Sequence, residues 1–166
     1  MHQLRTATLL SACLLASTLA QAVEPVSSTL SVSRVVPTVN GQEHLDRAVS
    51  ARPGEMLEYA VDLHNAGSTA VHGLSATLPL PSGTELVAGS TRPAASMASV
   101  DGKQFQQIPL RRTVALADGT QREELVPLSE YRYLRWAPSD LGANADLKVS
   151  ARVRVSAIGG AAGVVK

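Results

Sequence analysis

The chain has 166 residues, 15 Lys and Arg against 14 Asp and Glu, a formal net charge of +1 and only 3% aromatic residues. That balance, with no run of basic residues, argues against nucleic acid and against an anionic membrane surface as partners. A lone cysteine cannot build a disulfide framework within the chain.

Met1 to Arg5 forms a short basic segment, and Thr6 to Leu19 is an apolar run broken only by small residues. Ala20-Gln21-Ala22 then supplies an A-x-A cleavage site, so residues 1–22 read as a secretory signal peptide and the protein as exported, periplasmic or extracellular. The apolar run is too short for a comfortable membrane span, and no stop-transfer pattern follows. A competing reading takes Leu10-Ser11-Ala12-Cys13 as a lipobox that would turn Cys13 into a lipid anchor. The apolar run continues past Cys13, whereas a lipobox closes such a run, so cleavage after Ala22 is preferred. Cys13 then leaves with the leader, as does Arg5, and acidic and basic residues balance in what remains.

Residues 23–29 read as a polar lead-in, residues 30–156 as one β domain and residues 157–166 as a flexible Gly-rich tail. Strands are expected near 29–36, 44–50, 55–64, 72–80, 84–88, 96–100, 104–108, 110–117, 121–126, 130–136 and 145–156. The clearest alternation places Leu57, Tyr59, Val61 and Leu63 on one face and Glu58, Ala60, Asp62 and His64 on the other. Beyond Asn65-Ala66-Gly67, Leu74, Ala76, Leu78 and Leu80 repeat the pattern. In the last strand Leu147, Val149, Ala151, Val153 and Val155 alternate with Lys148, Ser150, Arg152 and Arg154. One apolar and one polar face per strand is the mark of antiparallel sheets with a single buried side. Asn40-Gly41, Asp101-Gly102 and Asp118-Gly119 sit between strand-like runs and predict type I′ hairpin turns. No stretch after the leader has a helical period. The expected fold is an all-β, two-sheet antiparallel sandwich, with a small closed barrel as the alternative.

Pro53-Gly54-Glu55, Tyr59, Asn65-Ala66-Gly67-Ser68, Leu78-Pro79 and Pro81-Ser82-Gly83-Thr84 fall in an order that resembles the "conserved repeat" of bacterial secreted and surface proteins, domain of unknown function 11. Tyr133-Leu134-Arg135-Trp136, Leu141-Gly142 and a final alternating strand resemble that repeat's closing segment. The resemblance covers most of residues 44–156. It implies an immunoglobulin-like sandwich in the envelope or outside the cell, usually without enzymatic activity. This chain departs from it in holding one copy rather than a tandem array, and in carrying extra hairpin sequence between Val100 and Ser129.

Signals of chemistry are sparse. His64 and His72 flank the Asn65-Ala66-Gly67 turn, could approach across a hairpin and have Asp62 or Glu58 nearby, and His44 stands apart. A metal centre needs three or four converging ligands, so these read as exposed polar residues, and no metal or other cofactor is expected. Glu123-Glu124 and Glu130 offer paired carboxylates of the glycosidase kind, yet their place after an Asp-Gly turn marks a charged hairpin arm. No nucleophile elbow or phosphate-binding glycine pattern occurs, and nothing requires an enzyme. The aromatic cluster offers a binding surface: Tyr131 and Tyr133 on one strand face, with Trp136 and Leu134 on the other as core. The expected function is a non-catalytic module contacting an envelope or surface protein. A pilus- or adhesin-type assembly subunit and a carbohydrate-binding module or hydrolase are the alternatives.

Overall fold

The computed structural model describes residues 26–137 and 139–157; the expected leader with Cys13, and all of the Gly-rich tail but Ala157, lie outside the described residues. The strands in chain order are β1 (Val26–Pro37), β2 (Glu43–Arg47), β3 (Met56–Asn65), β4 (Val71–Leu74), β5 (Thr77–Pro79), β6 (Thr84–Leu86) and β7 (Met97–Ser99). There follow β8 (Gln106–Gln107), β9 (Arg111–Ala115), β10 (Gln121–Leu125), a single 3-10 turn at Leu128–Glu130, β11 (Tyr133–Arg135), β12 (Ser139–Leu141) and β13 (Asp146–Val155).

One sheet has the order β2-β1-β3-β13-β6 and a second the order β5-β11-β7-β8; β9 with β10, and β4 with β12, form two-stranded ribbons. Every pairing is antiparallel and no sheet closes on itself, which makes the fold a β-sandwich and not a barrel. The long strands are central because their alternation is cleanest. Leu57, Val61 and Leu63 of β3 lie opposite Val153, Val149 and Leu147 of β13 in register. Five of these six are buried, and Leu147 and Tyr59 pack partly buried against them. Leu78, Ala98 and Leu134 come from three strands of the second sheet and meet this face with no measurable exposure. Removing such apolar surface from water is the main favourable contribution to folding. The opposite face of the first sheet carries ion pairs, with Arg152 bridging Glu43 and Glu58 at 2.6 and 3.0 Å and Lys148 at 3.3 Å from Asp62.

Four expectations need correction. The lead-in stops short, because Val26 to Thr29 already pair with Asn65 to Asp62 in β1. The run 72–80 is two strands, β4 on β12 and β5 on β11, so the chain changes partner at Ser75-Ala76 while its inward parity persists. β3 and β4 are not a hairpin, since their partners are different strands. The Asn40-Gly41 and Asp118-Gly119 turns are three-residue loops, not type I′. Thr38 and Leu116 each bond the residue four positions on, and of the pair only Gly41 and Gly119 have positive φ.

Candidate functional site

The two tyrosines part company. Tyr131 is 1% exposed, and its hydroxyl accepts a 2.7 Å hydrogen bond from the buried Leu110 N–H. Its ring is therefore core and not a binding surface. The 3-10 turn at Leu128–Glu130 ends directly before it and resets the alternation that would have placed it beside Tyr133. Tyr133 does lie on the outer side of β11 and is half-buried. Trp136 and Leu134 are both buried, and the indole N–H donates to the Pro93 carbonyl at 2.7 Å.

Around Tyr133 the rings are largely engaged within the chain. A Cβ added at Gly102 would lie 2.8 Å from the Tyr133 ring, so the loop glycine is pressed against it. Phe105 meets Tyr133 edge-on at 6.5 Å between centroids, and the Arg135 guanidinium lies 3.4 Å from the Phe105 centroid. Arg135 Nε also donates to Thr77 Oγ1 at 3.2 Å. This cation–π stack pins the loop of residues 100–105 to the second sheet. It also occupies aromatic faces that a stacked sugar would need.

The histidines do not converge. His64 Nδ1 lies 2.8 Å from Asp146, His72 Nδ1 lies 2.9 Å from Asp140, and His44 Nε2 lies 3.3 Å from Asp46. Among the described residues no three His, Cys, Asp or Glu side chains are placed to hold a metal. Glu123 and Glu124 of the β9–β10 ribbon, and Glu130 beyond it, are each matched by a guanidinium. Arg111 meets Glu123 at 2.8 Å, and Arg112 meets Glu124 and Glu130 at 2.8 and 2.7 Å. These contacts hold the Arg112 guanidinium above its ordinary range, Glu124 contributing most. Carboxylates so paired resemble a charged hairpin arm.

A depression of about 400 Å³ beside Arg34, Pro37, Glu55, Met56 and Arg154 also fails to isolate a charge. Arg34 Nε is buried and lacks a well-formed hydrogen bond, but Glu55 lies 3.3 Å from it and neutralises it.

The remaining feature is an edge. β2 pairs with β1 only from Ser33 to Pro37, whereas β3 pairs with it from Val26 to Arg34. Among the described residues nothing pairs with the other side of Val26 to Ser31. The Val32 carbonyl points to that side, where it accepts from Ala48 N–H at 3.4 Å. Antiparallel strands alternate, so the N–H and C=O groups of Val26, Ser28 and Leu30 point there too and are free. The same residues lie opposite Asn65, Leu63 and Val61, on the core side of the sheet. The second sheet does not reach them, and Leu30 stays 52% exposed. A groove of about 510 Å³ lined by Leu30, Val32, Arg47 and Ala48 runs beside this edge.

The outer strands of the two sheets are guarded: β2 carries Glu43, Asp46 and Arg47, β6 has three residues, β8 has two, and β5 ends on Pro79. Charge, brevity and proline are the usual protections of an open edge. The stretch Val-Ser-Ser-Thr-Leu-Ser has none of them. Sequence reading starts this strand only near residue 29, because a serine-rich start looks like a linker; the signal for the rest is Val26, Ser28, Leu30 and Val32 in one parity.

No family model matches the chain, and neither does any curated protein or solved structure. No helix among the described residues is long and apolar enough to cross a membrane.

Proposed function

We propose that this chain is an exported, non-catalytic β-sandwich module that contacts another envelope or surface protein through the free edge of β1. The observation that carries the reading is the unpaired, uncharged run from Val26 to Ser31, with Leu30 half-exposed on the core side. Unpaired strand edges bind extended segments by main-chain hydrogen bonds, with alternate side chains setting specificity. The leader-like residues 1–22 and the resemblance of residues 44–156 to the conserved-repeat family agree with a place in the periplasm or outside the cell.

An assembly subunit of the pilus or adhesin kind is the second reading, favoured by the part of the β1 core face that the second sheet leaves uncovered. The test is recovery of native partners from the envelope with wild type and with Leu30→Lys. Loss of one or more partners with the variant, at unchanged melting temperature, is the expected result. An identical partner set for both proteins would sink the edge reading.

A further inference from the structure

We infer that the free edge of β1 takes the same edge of a second copy of this chain, in an antiparallel pair centred on Ser28. The inference rests on the reading of that edge as a contact surface and names its occupant.

The geometry is self-complementary. Among the described residues, the groups free to bond outward belong to Val26, Ser28 and Leu30. A two-fold axis at Ser28 sets Val26 of one protomer against Leu30 of its partner, Ser28 against Ser28, and Leu30 against Val26. All three pairs are then of the hydrogen-bonded kind, so every free group in the run finds a mate. On the core face each exposed Leu30 gains an apolar neighbour. On the other face Ser27 meets Thr29, a hydroxyl pair of the sort that stabilises cross-strand contacts. An isologous interface demands this self-match of one patch.

Charge points the same way. The paired segment has no ionisable side chain, and the chain as a whole is within one charge of neutral. Two copies therefore approach without long-range repulsion. β2 and the residue after it are also clear of the interface, because the nearest contact is Ala48 at Val32, two residues beyond Leu30, and β2 itself reaches only to Ser33. The result is a continuous ten-stranded sheet, twice the five strands of one copy. A five-residue pairing buries less than the ~1,200 Å² of stable interfaces, so the dimer is weak and concentration-dependent.

The experiment uses the protein as its host processes it, in a Cys13→Ser background. Sedimentation velocity is run up to high protein concentration for wild type, Leu30→Lys and Ser28→Pro. Proline at Ser28 removes only an outward N–H, so the β1–β3 ladder survives. Wild type should dimerise reversibly, and each variant should raise the dissociation constant by about tenfold or more. Independently, Ser28→Cys should cross-link on mild oxidation, because Cα atoms of a hydrogen-bonded pair lie about 5.5 Å apart, within disulfide reach. Thr29→Cys should not, since equivalent residues one step off the axis are about 7–8 Å apart. A wild type that stays monomeric, or equal cross-linking of both cysteine variants, overturns the inference. If wild type is monomeric yet Leu30→Lys still loses an envelope partner, self-pairing fails while the edge reading stands. If neither the oligomeric state nor partner recovery responds to the edge, both fail.

Discussion

The Leu110 backbone N–H and the Tyr131 hydroxyl meet at 2.7 Å inside the core, 21 residues apart in sequence. Sandwich folds often carry a tyrosine whose hydroxyl binds backbone upstream of its own strand. Here the bond spans the whole β9–β10 ribbon and closes its base, where Val126 N–H also donates to Leu110 at 2.9 Å. Tyr131→Phe keeps the ring but leaves a buried donor without a partner. It should cost roughly 1–3 kcal/mol in urea unfolding, the penalty of an unsatisfied buried amide. A loss near zero would mean that water reaches Leu110 and the closure is loose.

Asn65 plays a comparable part at the end of β3. Its side chain is fully buried, donates to the Thr69, Leu141 and Gly142 carbonyls at 2.8–3.1 Å, and accepts from Gly67 N–H at 3.0 Å. Asn65→Leu retains bulk and strips all four contacts. A destabilisation of about 1–3 kcal/mol for each carbonyl truly left dry is expected. Hydrogen exchange at Gly67 should also rise well above that of β3. Unchanged exchange there would show that the loop holds itself.

These two residues mark where the sequence was legible and where it was not. The β3 and β13 faces were readable because period-two alternation is local, and their in-register pairing follows from both being central. Asn65 was readable as a turn residue, but the Leu141 and Gly142 carbonyls it binds come from 76 and 77 residues away, where no local pattern points back. Tyr131 was misplaced because one 3-10 turn shifts parity, an offset that residue types do not encode. β12 was missed, its three residues Ser139, Asp140 and Leu141 being too few to alternate. His64 and His72 were placed in one hairpin because sequence proximity hides a change of partner strand.

Acid should weaken the turns before it reaches the core. Asp101 has its carboxyl held below the ordinary range by the N–H groups of Gln104 and Lys103 and by the Ser99 hydroxyl. Asp118 is held down by Thr120, and Asp140 by His72 and then Gly73 N–H. A depressed folded pKa contributes stability above the unfolded value of about 3.9, and that contribution is lost as pH falls through the folded value. Stability should therefore decline on acidification below about pH 5, with Asp101→Asn showing a shallower decline than wild type. Parallel profiles for the two proteins would remove Asp101 from the account.

Val61 probes the facing of the central strand. It lies in the core cluster opposite Val149, while its neighbour Asp62 is partly exposed beside Lys148. Val61→Asp buries a carboxylate with no partner and should cost on the order of 3–5 kcal/mol. Asp62→Val on the other face loses only a surface ion pair, worth about 0–1 kcal/mol. Thermal melts of both variants test the assignment together. Comparable losses would mean that the two faces of β3 are not distinguished by burial.

The β9–β10 ribbon lets the domain be separated from its addition. Among the described residues its strands pair only with each other, and Leu116 and Leu125 stand exposed on it at 38% and 58%. The core contacts of this region belong instead to Leu110, Val126 and Tyr131, at the ribbon's base. Replacing residues 112–124 by a short Asn-Gly turn keeps those three and the Leu110–Val126 bond. What is removed is a set of surface ion pairs, including Arg112 with Glu130, and such pairs typically contribute about 0–1 kcal/mol each. The shortened loop also closes at slightly lower entropic cost, which offsets part of that loss. The truncated protein should therefore fold, with unfolding free energy within about 1 kcal/mol of wild type. Because the β1 edge lies in the five-stranded sheet, with which the ribbon does not pair, its cross-linking through Ser28→Cys should be unaffected as well. A truncation that fails to fold would show that the ribbon helps to build the sandwich and is not appended to it.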